Sequence, residues 1–306
     1  MRDDAYENKL TQLSGGWNAS FAALLILIAA ITVLPMLLVI VISFTSKESI
    51  TDFGYSFFPK GWSLAGYTEL FRTGTQLMNS YIVSIEYTLA GTASSLFVMS
   101  MSAYVISQRQ FKYHTFLKWM MFITMLFGGG LVPSYIMNTQ YLHLGDTFWI
   151  YVLPGLINAW SIIVLWTFQR TVVPDSLIEA ARIDGAKHVR IWLSIVTPLM
   201  KAGLATIALQ GFVGRWNDWF TSVLYITKPT LVPLQTLLYK LQVSISFIKE
   251  NARIAASPEG LQILKNLPSE SLRMACTVMV VLPILFAYPF FQRYFIRGMV
   301  VGSLKE

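Results

Sequence analysis

Few side chains in this 306-residue sequence could carry covalent chemistry. The three histidines, His114, His143 and His188, lie far apart without metal-ligand spacing, and the one cysteine, Cys276, sits in an apolar run. A single thiol allows no intramolecular disulfide. There is no Gly-x-x-x-x-Gly-Lys-Ser/Thr stretch with which to cradle a nucleotide phosphate. Paired catalytic acids and His-plus-Ser sets are missing too, so no catalytic, cofactor-binding or metal residue is assigned. What remains is binding and mechanics. Glu86 is a carboxylate in an otherwise apolar segment, expensive there and functional by default. It also lies about two turns from the expected outer end of its helix, where snorkelling or contact with a partner would explain it. Arg215 and Asp218 are three residues apart, a helical spacing that allows an ion pair.

The elements that must position these residues are membrane spans. The chain is 55% hydrophobic and 13% charged, against about 25% charged in a soluble domain. Its net charge of +7 therefore matters through its distribution and does not argue for nucleic acid. No charged residue occurs between Lys9 and Lys47, and a span needs about 20 apolar residues. A first helix is expected at about 19–45, too long for a signal-peptide core. A loop with Trp62, Gly66 and Tyr67 follows at the interface. The second span, about 80–106, has small residues from Ala90 to Ser95 suited to close helix contact. The third, about 116–139, meets Gly128-Gly129-Gly130 and Pro133, either a break at membrane depth or a simple helix end. The fourth, about 148–169, opens on Phe148, Trp149 and Tyr151 as an aromatic belt. The fifth, about 199–225, is interrupted at Arg215-Trp216-Asn217-Asp218-Trp219, and the sixth lies near 274–292. Lys and Arg crowd the loops after spans two and four and the tail, which predicts six spans with both termini cytoplasmic.

Between spans four and five lies a polar hairpin. Pro174-Asp175-Ser176 opens it, and Ser176 with Glu179 reads as a capping box. Ala180 and Ala181 keep one face small, and Gly185 permits a turn that a Cβ would resist. A second helical run closes at Pro198, where the next membrane helix is expected to begin. Arg182 and Asp184 are two apart and lie on different faces, so they do not pair with each other.

This spacing resembles the EAA loop of ABC importer permeases. Glu179, Ala180, Ala181, Gly185, Ile195 and Pro198 match it, and Thr197 stands where the family usually has Leu. The ending Gly298-Met299-Val300-Val301-Gly302-Ser303-Leu304-Lys305 resembles the maltose-type (MalG-like) carbohydrate branch. Gly129–Pro133, Trp149 with Leu153-Pro154-Gly155, Trp216–Phe220 and Tyr288–Phe295 resemble, more narrowly, the LplC/YtcP subgroup.

The resemblance implies an all-α integral membrane protein, a type I importer permease fold of six helices with a cytoplasmic coupling helix. It implies one permease domain over 1–306: an extra N-terminal helix at 19–45, a core at 79–297, a coupling loop at 171–198, an outer loop at 227–271 and a tail at 293–306. The function implied is import of oligosaccharides, including acidic ones from pectin or alginate. The alternatives are another solute carried by the same machinery, or an ion-coupled secondary transporter, for which ion-coupling acids deep in the spans are wanting. The partners implied are a homologous second permease, an ATPase dimer, which would hold the ATP and Mg, and an extracytoplasmic solute-binding protein. The expected location is the cytoplasmic (inner) membrane. Glu179, Ala180, Ala181, Asp184, Gly185, Ala186 and Pro198 would meet the ATPase by helix-in-groove docking. Polar and aromatic residues within spans suit a sugar path: Tyr135, Asn138, Asn158, Gln210, Trp216 and Asn217, with Glu86. Each of these could equally be a helix–helix hydrogen bond or an interface anchor.

Overall fold

The computed structural model describes residues 15–72, 75–250 and 270–303. Those residues are almost wholly helical, and their β pairing is limited to the bridge Thr45–Trp62. Two compact units divide the chain. Residues 1–72 and 266–279 form one, and 73–265 with 280–306 form the other.

In the first unit, helix α1 (Gly15–Ser43) exposes apolar side chains on nearly every face, with Leu25 and Ile26 more than 60% exposed. Such a helix is stable only with an apolar solvent around it. Thr32 returns its hydroxyl to the Ile28 and Ala29 carbonyls at 3.1 and 2.9 Å, leaving no polar group to lipid. Pro35 is accommodated inside this helix. The interfacial loop is ordered as expected and holds two short helices. The first is α2 (Lys47–Phe53), capped by Ser46 and stopped at Gly54 with φ +70°; the second is α3 (Ala65–Arg72). Tyr67 joins the loop to α1, with its hydroxyl 2.8 Å from that of Ser43 and its ring 4.9 Å from Phe44.

The second unit is built around α4 (Thr75–Ser107). Ser80, Ser84, Thr88, Gly91 and Ser95 form a buried stripe at three- and four-residue steps. Small side chains on one face let neighbouring backbones approach closely. Ser84 Oγ accepts the backbone N–H of Leu234 at 2.9 Å, inside the protein. Toward its other end α4 contributes Met99, Ala103 and Tyr104 to a core shared with Ile162, Leu165, Ile191 and Trp192.

Two helix pairs are sharply bent. Helix α5 (His114–Leu126) ends just before the glycine run, and α6 (Leu131–Tyr141) leaves it at 116°, with Gly130 at φ +83° between them. Helix α7 (Ala159–Val172) is shorter than expected. Residues Phe148–Tyr151 form a 3₁₀ turn, and the α-helix starts only after Pro154-Gly155, with Asn158 capping the Ser161 N–H at 2.9 Å. Proline has no N–H and pushes its predecessor out of the helical region, which ends any continuous helix from 148. Tyr151 is correspondingly buried instead of sitting in an aromatic belt; its hydroxyl donates to the Leu231 carbonyl at 2.8 Å.

The hairpin follows, as α8 (Asp175–Ile183) and α9 (His188–Leu199). The latter turns through 84° into α10 (Lys201–Trp216), which starts three residues after Pro198. Helix α11 (Phe220–Tyr225) resumes after the expected interruption. The segment expected as an outer loop contains a 17-residue helix, α12 (Leu234–Glu250). Its stretch 251–269 lies outside the described residues. The last helix, α13 (Glu270–Ser303), contains Pro283 and Pro289, and residues 304–306 of the tail lie outside the description. By length and composition α1, α4 and α13 can cross a membrane unbroken, and the bent pairs α5–α6 and α9–α10 bring the number to five.

A loop beyond the spans joins two elements through Asp146. Its carboxylate accepts the Thr227 N–H and hydroxyl, each at 2.5 Å, and the Lys228 N–H at 3.0 Å. These bonds to the ionised form, the Thr227 hydroxyl foremost, hold its pKa below the usual carboxylate range. Its stabilisation is therefore complete above the unfolded-chain value of about 3.9 and is lost as pH falls through the native value. Asp146→Asn should flatten the acid limb of a plot of melting temperature against pH. Ser84→Ala, which strands the buried Leu234 N–H, should cost about 1–3 kcal/mol in thermal unfolding in detergent. The exposed Ala90→Ser on the same helix should be silent.

Candidate translocation cavity and coupling hairpin

The hairpin expected to couple owes its shape to its turn. In α8 the Gly185 N–H bonds the Arg182 carbonyl at 2.9 Å and the Ala186 N–H bonds the Ala181 carbonyl at 2.9 Å. That pair of bonds, with Gly185 at φ +80°, is a Schellman termination, in which the left-handed residue is strongly favoured to be glycine. Its apolar accompaniment is present, since Ala181 and Ala186 pack on the same core as Ile178. The expected capping box is not formed. Helix α8 begins at Asp175 after Pro174, no side chain caps it, and Ser176 and Glu179 both lie inside the helix.

One face of α8, with Ile178 and Ala181, is buried, and Glu179, Ala180, Asp184 and Gly185 are exposed. Glu179 has no partner among the described residues. Pro198 is exposed beside the bend, and Ala186 is half-buried. Two features were not legible in the motif. Ile183 is 87% exposed, an apolar side chain on the outer rim of the hairpin. Arg182 reaches back to the end of α4, donating to Gln110 Oε1 at 2.6 Å and Gln108 Oε1 at 2.5 Å. A third tie runs from the Tyr104 hydroxyl to His188 Nδ1 at 3.1 Å. Three polar contacts thus tie the hairpin to α4 and to the residues just after it.

A cavity of about 830 Å³ opens among α4, α6, α7, α10 and α11. Of the expected path residues, Asn138, Asn158 and Gln210 line it. Gln210 is exposed and its amide has no partner among the described residues. Asn138 Nδ2 donates to the Tyr225 hydroxyl at 3.2 Å, and Tyr135 stacks on the Tyr225 ring with centroids 5.5 Å apart. Tyr225 and Trp160 are further lining residues that nothing in their sequence neighbourhood marked.

Tyr135 touches the cavity wall only through Tyr225 and is not itself in the lining, and Trp216, Asn217 and Glu86 are placed elsewhere. Trp216 is 2% exposed, donates Nε1–H to the Val280 carbonyl at 2.9 Å and packs edge-on against Tyr81, so it offers no ring face to a solute. Asn217 ends α10, bonding the Val213 carbonyl at 3.0 Å and accepting from Gln235 at 2.9 Å, and does not line the cavity. Glu86 is exposed on α4 and is also absent from the lining. The Arg215–Asp218 ion pair is not made. Arg215 donates to the carbonyls of Gly155 (2.8 Å) and Gly211 (3.5 Å), and Asp218 Oδ1 instead accepts the Thr221 N–H at 3.0 Å. Both side chains line the cavity.

No family model matches the chain. Protein LplC of Bacillus subtilis (strain 168) is 35% identical over 278 residues, 91% of each chain. The polygalacturonan/rhamnogalacturonan transport system permease protein YtcP of the same organism is 34% identical over 281 residues, 92% of this chain and 95% of its own. Among solved structures, a chain of a bacterial ABC transporter involved in import of the acidic polysaccharide alginate superimposes with a TM-score of 0.79 at 27% identity. That match covers 93% of this chain and 99% of the other. With relatedness above 30% identity along nine-tenths of its length, the chain belongs to the LplC/YtcP group of ABC-transporter carbohydrate permeases, multi-pass membrane subunits without a catalytic site.

Proposed function

We propose that this chain is one transmembrane half of an ATP-driven oligosaccharide importer, with acidic oligosaccharides of the pectin or alginate type among its solutes. The observation that carries the reading is the end-to-end likeness to permeases named for such polysaccharides. The homologous second permease, the ATPase dimer holding ATP and Mg, and an extracytoplasmic binding protein complete the machine. Six spans with both termini cytoplasmic follow if α7 is counted as a span. Its 14 residues reach about 21 Å, and the 3₁₀ turn before it makes up the remaining depth. Non-helical backbone is admissible there because protein and a cavity cover it.

The coupling step assigned to the hairpin is mechanical. Glu179, Ala180, Asp184 and Ile183 present a small, partly apolar and acidic surface for a groove on the ATPase. The Schellman turn keeps the lever stiff. Arg182, held by Gln108 and Gln110, passes displacement to α4, against which α7 and α10 pack. Rotation of these helices would open or close the cavity. In it, amides such as Gln210 would bond hydroxyls and the Trp160 ring would face a sugar's apolar side. The direct test is the purified complex: its ATPase rate should rise with an oligosaccharide and the binding protein, and no response to any oligosaccharide would reject the reading.

Three variants have distinct expected outcomes. Gly185→Val forces a β-branched residue into the left-handed region at a cost of roughly 1–3 kcal/mol. ATPase retention on purification, or solute-stimulated hydrolysis, should fall about tenfold with the chain still inserted. Gln210→Ala should weaken uptake about three- to tenfold, the worth of one hydrogen bond of about 0.5–1.5 kcal/mol, at equal membrane levels. Trp216→Ala should instead cost about 3–5 kcal/mol of stability, seen as loss of folded protein regardless of solute.

A further inference from the structure

We propose that Arg215 reads a carboxylate of the passing solute, so that the cavity itself, and not only the rest of the transporter, selects acidic oligosaccharides. This rests on the oligosaccharide reading above and adds a residue and a charge to it.

The case begins with the space made for one side chain. The guanidinium lies on three glycines from three segments: Gly91 of α4, Gly155 of the turn before α7, and Gly211 one turn back on α10. A Cβ at Gly155 would come within 3.1 Å of Nη2, and one at Gly211 within 3.2 Å of Nη1; at Gly91 it would overlap Nε. A Cβ at Gly91 would displace the cation, and one at Gly155 or Gly211 would crowd it by a few tenths of an ångström. Its seat is therefore built.

The second observation is what the cation lacks. Of five N–H donors, one bonds Gly155 O at 2.8 Å and another makes only a long contact to Gly211 O. No carboxylate lies within ion-pairing distance among the described residues. Asp218, the partner its spacing suggested, is engaged at the start of α11. A charge at membrane depth is costly without a partner and is placed toward a bundle interior or a water-filled path. Arg215 faces such a path, since it lines the cavity beside Gln210 and Asn158. A planar fork of donors fits a carboxylate by two parallel bonds, which a lysine cannot reproduce. The nearby negative Asp218, also in the lining, opposes the anion and keeps it from being held too tightly to move on.

The chain is tested in the assembled transporter with its partner permease, ATPase and binding protein, reconstituted in liposomes. The probes are trimeric uronates from pectin and alginate and their carboxyl-reduced neutral counterparts. The readout is the ratio of acidic to neutral uptake, which a merely structural role would not move. Arg215→Gln should lower that ratio at least tenfold. Arg215→Lys, which keeps the charge and loses the fork, should give a smaller fall in the same direction. If the glutamine variant does not assemble, the lysine variant decides alone. An unchanged ratio, with both uptakes falling together or neither falling, overturns the proposal while leaving the importer intact. Wild-type transport of neither acidic nor neutral oligosaccharides would instead reject the oligosaccharide reading, and this proposal with it.

Discussion

At membrane depth a backbone carbonyl or N–H outside a helix has no water to bond, and every break in a span frees several such groups. This chain interrupts its helices near Gly130, around Pro154-Gly155 and after Trp216, and protein side chains bond several of the groups left free. Tyr87 donates its hydroxyl to the Arg215 carbonyl. Tyr151 bonds the Leu231 carbonyl, Ser84 receives the Leu234 N–H, Trp216 bonds the Val280 carbonyl and Arg215 bonds Gly155. Much of the polarity of the interior is explained by this requirement. It also explains why the buried hydroxyls of α4 run as a stripe facing the interrupted elements, while its exposed face is largely apolar, with Glu86 an exception.

The same breaks create room. A bundle of straight helices of similar length packs to a closed interior. Here α7 starts late and α10 stops early, and about 830 Å³ is left among them. The Tyr87 and Tyr151 rings stack at 4.7 Å in a core beside the cavity, which stiffens the wall where backbone is irregular. The cavity and the hairpin are joined through α4. One end is held by Arg182 at Gln108 and Gln110, and Gly91, further along, underlies Arg215. The hairpin and the cavity thus share one long helix.

The sequence was most legible where periodicity or turn chemistry acts locally. The helix positions of α1, α4 and α13 follow from runs of apolar residues, and the turn at Gly185 follows from the need for a residue tolerant of positive φ. The interruption after Trp216 was legible from its charges. The capping box was not realised because Pro174 already supplies the helix start, placing Ser176 too far inside to reach an unpaired N–H. The stretch expected as a span from 148 holds a 3₁₀ turn and then a helix that starts only at Ala159, after Pro154-Gly155, whose weight against a continuous helix its apolar composition hid.

The lining of the cavity was only partly legible. Composition gives Trp216, Asn217 and Gln210 equal claims, since each is a polar or aromatic residue near the same helix end. Only packing separates them: Trp216 turns into the core against Tyr81, Asn217 bonds its own helix end and Gln235, and Gln210 is left facing the cavity. Likewise a three-residue spacing allowed Arg215 to pair with Asp218, and the helix ends between them, so the two side chains find different partners. By itself the sequence determined that the chain is a membrane protein, which helices are long, and where the hairpin turns, because hydrophobicity and backbone sterics are properties of short segments. Which polar groups face a path, and which are consumed in satisfying broken backbone, was decided only in the tertiary structure, because that depends on what lies opposite in space.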